Sequence, residues 1–250
     1  MKRLLCVLLV LVLGVAMVGF RGPDISGAEG YSRMNNAMAN VEAISAGYTA
    51  NMNMSLAGIS VPLTMDGTVK AFTPSTDVND MQMIMTMNMN MMGETIPTTM
   101  YVTDGKMYMD LMGEKMAMAM GDQAATAATS AAMPSSDELV TNLYAITLDD
   151  GYELGATVPA SAISPFLAAS ETEGVSIKVS NIDIITTVDQ DFMPRTQHMV
   201  FTMDMTIEGE TVHCDFDMML TYRTVNAFTS LEFPSDLSSY ADISEEMLAA

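Results

Sequence analysis

Tryptophan is absent from this chain, and tyrosine and phenylalanine together make up only 6% of it. A flat aromatic platform of the kind that stacks on sugars is therefore poorly supported. Cysteine is nearly absent too, with Cys6 and Cys214 alone among 250 residues. Cys6 falls inside an N-terminal segment read below as an export signal. Its removal leaves one thiol and no intrachain disulfide, so stability must come from burial. Ten basic residues face thirty-one acidic ones, for a formal net charge of -21. That balance excludes nucleic acid as a partner, because a phosphate backbone is bound through lysine and arginine. It also repels anionic membrane surfaces, so any membrane contact has to be apolar or bridged by cations.

Catalytic motifs are missing as well. There is no HExxH, GxSxG, CxxC or phosphate-cradling glycine loop. His213-Cys214-Asp215 looks like a nucleophile beside a base, but neighbouring strand residues point to opposite faces. The reading is an exposed Asp204–His213 cross-strand pair with Cys214 packed inside, and His198 isolated. No enzyme activity and no cofactor are expected.

Methionine, by contrast, is abundant: 29 residues, concentrated between Met81 and Met120 at nearly every second position. A period of two is a strand's period, whereas a helix would scatter these side chains around its circumference. Met81, Met83, Met85, Met87, Met89 and Met91 then share one face, and Gln82, Thr86, Asn88 and Asn90 share the other with Ile84. Gly93-Glu94, Asp104-Gly105 and Gly113-Glu114 are spaced as two-residue hairpin loops. These registers put Val102 opposite Met107 and Met100 opposite Met109. They also put Met85 opposite Val102, Met87 opposite Met100, Met109 opposite Met118, and Met107 opposite Met120. All three turns gather the apolar residues on one side, which predicts a four-strand antiparallel meander.

Met1-Lys2-Arg3 followed by an apolar run from Leu4 to Phe20 reads as an export signal cut after Ala28, with an uncleaved anchor as the alternative. The protein is expected outside the cytoplasm, secreted or at the cell surface. Cys6 stands at the start of the apolar run, where a lipid-anchor cysteine cannot be. Residues 29–250 are expected to form one monomeric domain. Within it, a helix over Ser32–Ile44 precedes strands from Tyr48 and a turn near Ile59-Ser60. A low-complexity connection at 122–136 is followed by a helix from Ser136 through Tyr144, an Asp150-Gly151 hairpin and a helix over Pro159–Ala169. A strand over Ser176–Val188 then leads to a hairpin of Thr196–Ile207 with Glu210–Thr221. In that hairpin Met199, Phe201, Met203 and Met205 face Met218, Phe216, Cys214 and Val212. An open sheet of about ten strands, apolar on one face only, must curl to cover that face.

Thioethers are soft ligands that select Cu(I), so a metal site is one reading of the methionine stripe. Same-face neighbours on one strand lie about 6.8 Å apart, too far to share an ion without help from adjacent strands. Plain core filling is another reading. A core that needs a single packing prefers Leu, Ile and Val, whereas unbranched methionine serves surfaces that adapt to varied apolar partners. The preferred reading is therefore a Met-lined cavity for flexible acyl chains or another poorly defined hydrophobe, lined by Met85, Met87, Met89, Met100, Val102, Met107, Met109, Met118, Met203 and Met205. The alternative is a non-enzymatic structural or interaction module of the cell envelope with a solid core.

The alternating block Met81–Asn90, the hairpin from Met100 to Met109 around Asp104-Gly105, and the later hairpin around Met203 and Met218 closing toward Glu232-Phe233-Pro234 resemble the LolA-like lipoprotein-carrier superfamily. Its LppX and LprG relatives and Met-rich exported Gram-positive proteins of unknown function share this pattern. The resemblance implies a mainly β (α+β) fold: a strongly curved, half-open antiparallel sheet with a few short helices covering the concave face. It also implies an apolar cavity for lipid or lipoprotein acyl chains. Many such relatives are lipoproteins, and this chain departs from them in lacking the anchoring cysteine.

Overall fold

Alternating hydrophobicity becomes strand throughout, and the computed structural model describes residues 28–56, 59–75, 78–91, 93–119, 140–168, 175–207 and 209–242. The expected export segment and the 122–136 connection lie outside the described residues, Ala28 excepted. A helix α1 (Glu29–Met38) leads into β1 (Ala43–Leu56), β2 (Ile59–Phe72), β3 (Gln82–Met91), β4 (Glu94–Thr103), β5 (Lys106–Leu111) and β6 (Glu114–Ala119). The second half contains β7 (Thr141–Leu148), β8 (Gly151–Val158), helix α2 (Ala160–Ala168), β9 (Val175–Val179), β10 (Ile182–Asp189), β11 (Pro194–Ile207), β12 (Glu210–Val225) and β13 (Ala241–Asp242).

All thirteen strands belong to one sheet, ordered β13-β6-β5-β4-β3-β2-β1-β12-β11-β10-β8-β7, with β9 paired to β11 beside β10. The two meanders thus meet along β1 and β12, from Ile44 opposite Val225 to Leu56 opposite Val212. Thirteen strands exceed the expected ten, partly because the expected Ser176–Val188 strand is broken in two. At the break, Ser180 donates its N–H to the Thr202 carbonyl while its hydroxyl accepts from the Thr202 N–H. Asn181 turns its side chain to accept the first N–H of α2.

The sheet curls so far that its apolar face packs on itself. Met87 and Met100 of the first meander share one buried cluster with Ile177, Ile184 and Met203 of the second. The helices lie over the same face: Tyr31 and Met34 of α1 pack with Leu154, Val188 and Phe192, and Ile163 of α2 packs against the main cluster. Gly30 permits this approach, since a Cβ there would stand 2.5 Å from Leu154. No described helix is long and apolar enough to cross a membrane.

Several expected boundaries move. Helix α1 ends at Met38 rather than Ile44, because Asn226 captures the following backbone: its Oδ1 accepts from the N–H groups of Glu42 and Ala43, and its Nδ2 donates to the Asn40 carbonyl. That draws residues 43–47 into β1, so the strand starts before Tyr48. The first hairpin closes with Leu56 opposite Ile59, two residues ahead of the expected turn. The expected helix through Tyr144 is instead strand β7 over its described part, where Leu148 pairs with Gly151 across a turn at Asp149-Asp150. Tyr144, Ala145 and Ile146 find strand partners in Gly155, Leu154 and Glu153 of β8, and that pairing overrides local helix preference.

The Asp104-Gly105 register is as expected, with Val102 opposite Met107 and Met100 opposite Met109. The flanking hairpins are each shifted by two. Met85 pairs with Met100 and Met83 with Val102, and Met107 pairs with Met118 and Met109 with Met116. In both, glycine is the second turn residue rather than the first. Gly93 and Gly113 take φ of 86° and 87°, the left-handed conformation that the end of a tight hairpin turn demands. A shift of two preserves the face, so the methionines stay together.

Candidate functional site

Each inward residue of the first meander alternates with an outward one, and the burial pattern of β3 repeats that period without interruption from Met83 to Met89. Met85, Met87 and Met89 are 3–4% exposed, and Met100 and Val102 are 1% exposed. Met109 is buried, while Met107 and Met118, which face one another across β5 and β6, are half-buried. Met203 and Met205 of β11 are buried in the same cluster, opposite Cys214 and Val212. The ten residues singled out in the sequence therefore occupy one face of one sheet. All but Met109 and Met118 belong to or pack against one buried cluster, and methionine supplies about half of its members.

Cross-strand registers organise this face into rows. One runs Val69, Met85, Met100, Met109, Met116 across β2 to β6. It provides the adjacent-strand neighbours that a single strand of methionines lacks. Among the described residues no cluster of His, Cys, Asp and Glu of metal-binding geometry accompanies it. The next row runs Tyr48, Gly67, Met87, Thr98, Leu111 from β1 to β5. Here the methionines thin out. Gly67 has no side chain because a Cβ would lie 1.9 Å from the Thr86 carbonyl oxygen and 2.8 Å from the Tyr48 hydroxyl. The Tyr48 ring occupies that space, and its hydroxyl donates to the Thr86 carbonyl at 3.1 Å. Burial, with Asp66 nearby, raises the Tyr48 phenol far above its ordinary range. Thr98 is 3% exposed, and its hydroxyl finds no partner among the described residues.

The opposite face is polar over β11 and β12, as expected. His213 Nδ1 lies 2.6 Å from Asp204 and its Nε2 3.2 Å from Asp215. The hydrogen bond to Asp204 leads in raising this imidazole above its usual range, against the lowering effect of desolvation and with help from Asp215. His198 is not isolated: its Nε2 sits 2.8 Å from Asp217. That diagonal contact crosses from β11 to β12 and was invisible to a search for directly opposed residues. Cys214, between His213 and Asp215 in sequence, points into the core, where burial chiefly pushes its thiol up to about 11. The nucleophile-and-base reading of this tripeptide is thus excluded by geometry.

One part of the outer face is not wet. Ile84, Tyr101 and Tyr108 stand in a cross-strand line on β3, β4 and β5. The segment after β12 crosses over this line. Phe233 meets Tyr101 edge-on at 6.4 Å, and Tyr240 meets Tyr101 and Tyr108 at 6.5 and 5.7 Å. Lys115 binds Asp236 at 2.5 Å and lies over the Tyr240 ring, and Leu231 donates its N–H to Gln82. The strap ends as β13, parallel to β6.

The chain is similar to several solved structures. LprF from Mycobacterium bovis matches with 12% identity and a TM-score of 0.42, covering 82% of this chain and 97% of that one. A Vibrio parahaemolyticus domain described as outer-membrane lipoprotein-sorting matches with 10% identity and a TM-score of 0.28, covering 86% and 98%. A DUF1329 family protein from Desulfovibrio piger matches with 8% identity and a TM-score of 0.29, covering 82% and 95%. No curated protein matches the chain. The profile of a family of unknown function, DUF6612, matches residues 170–242, the stretch that contains β9 through β13.

Proposed function

We propose that this protein binds or carries an apolar ligand outside the cytoplasm, taking flexible acyl chains of a lipid or lipoprotein against the methionine face of its curled sheet. The observation that carries the reading is composition at fixed geometry: one continuous buried face, drawn from both meanders, about half methionine. A thioether side chain with three rotatable bonds re-packs at small cost, so such a face can part and reclose around chains of differing length where a Leu and Ile core would hold one arrangement. Half-buried Met107 and Met118 lie toward the β6 side of the sheet and supply the point where the face first opens. No catalytic step is part of this reading.

The solid-core alternative has one observation in its favour, the near-complete burial of Met85, Met87 and Met100 by the chain itself. Two charge insertions separate the readings. Met87→Glu places a carboxylate on the inner face, where burial costs several kcal/mol unless it is neutralised. Thr64→Glu places the same charge on the exposed face of β2 and should cost under about 0.5 kcal/mol. Asn88 would be a poorer control, since it donates to Asp66 and a glutamate there would face a like charge. A fluorescent fatty acid should bind wild type and Thr64→Glu equally and Met87→Glu hardly at all. If it binds none of the three, and no lipid is found by native mass spectrometry of protein purified from its host, the solid core stands.

A further inference from the structure

We infer that the Tyr48–Gly67–Met87–Thr98 row is a polar notch in the methionine face that receives the ester or amide carbonyl of an acyl-bearing ligand, with the Thr98 hydroxyl as donor. The inference rests on the acyl-chain reading and adds where the ligand's polar group sits.

The row differs from those beside it. On one side stand Met65, Met89 and Ile96, and on the other Val69, Met85 and Met100, so hydrocarbon flanks it along both strand directions. Within the row, Gly67 contributes no side chain and Tyr48 lies across it with its hydroxyl already committed to the Thr86 carbonyl. Thr98 is then the free polar group. Its hydroxyl is buried, belongs to the inward set of β4 with Met100 and Val102, and has no partner among the described residues. Leaving a buried hydroxyl unsatisfied is destabilising, a burden that valine in the same volume would avoid. A group that can donate, set in an apolar stretch of the first meander's inner face, meets its need when a ligand brings an acceptor with it. Carbonyl oxygens of esters and amides are acceptors attached directly to hydrocarbon chains. A plain alkane brings none, and a carboxylate would carry a charge into a face with no cation to match it.

The test compares methyl laurate with n-tetradecane, equal in chain length and differing in the ester, as competitors of a fluorescent fatty acid on the full chain. Wild type should bind the ester about fivefold more tightly, the discrimination expected of one hydrogen bond. Thr98→Val should bring that ratio to about one while leaving n-tetradecane affinity unchanged or improved, and Thr98→Ser should restore the preference. Equal affinity of wild type for both competitors, or an ester preference that survives in Thr98→Val, would overturn the notch and leave the acyl-chain reading intact. If neither competitor displaces the probe from any variant, the acyl-chain reading itself fails and the notch with it.

Discussion

Cys214 shows how completely environment decides what a side chain does. Flanked by His213 and Asp215 in sequence, it faces Met203 across β11 and is fully buried. Its raised pKa leaves almost no thiolate at neutral pH, and thiolate is the reactive form. Labelling by a maleimide at pH 7.5 should therefore be slower than for a free thiol by at least about tenfold, and should reach the ordinary rate in denaturant. Fast labelling of the native protein would reverse the inward and outward faces of the β11–β12 hairpin. Those faces were legible because direct cross-strand opposition follows from turn position alone. The diagonal His198–Asp217 contact was not, since it depends on how two side chains lean along the sheet.

Elements were legible where local chemistry sets them and illegible where distant residues do. Alternating methionines between glycine-bearing turns predicted β3 to β6, and placing glycine first rather than second moved two registers by an even step that leaves every face unchanged. Helix α1 ended early because of Asn226, nearly two hundred residues away. The aromatic strap is of the same kind. Its ion pair, Lys115 with Asp236, is exposed, and such pairs add little on their own. The weight rests on Tyr240, which is 7% exposed and contacts two tyrosine rings. Tyr240→Ala should cost about 2–4 kcal/mol in urea unfolding, whereas Asp236→Asn should leave the unfolding midpoint nearly unchanged. Equal losses would mean that charge, not ring packing, fastens the strap.

At the scale of the whole molecule, charge and topology matter more than any single contact. A formal net charge of -21 on a chain this size means the folded state crowds like charges that an unfolded chain spreads apart. Adding salt from about 0.02 to 0.2 M should screen that repulsion and raise the melting temperature by a few degrees at neutral pH, with most of the gain reached once the screening length falls to about 10 Å. A melting temperature that falls with salt would mean that attractive pairs outweigh the repulsion.

The seam between β1 and β12 has a consequence in time. Each meander is built from neighbours in sequence, so its hairpins can close as soon as their own residues are available, on the microsecond scale of isolated hairpins. The seam cannot. Even its nearest pair joins Leu56 to Val212, so both meanders must be present and brought together before the first bond of that ladder forms. Until then each half exposes a full methionine face with nothing opposite it. The two half-sheets would have to wait in that state, and the interval before the seam closes is when the chain is most open to capture by any apolar surface, including another copy of itself.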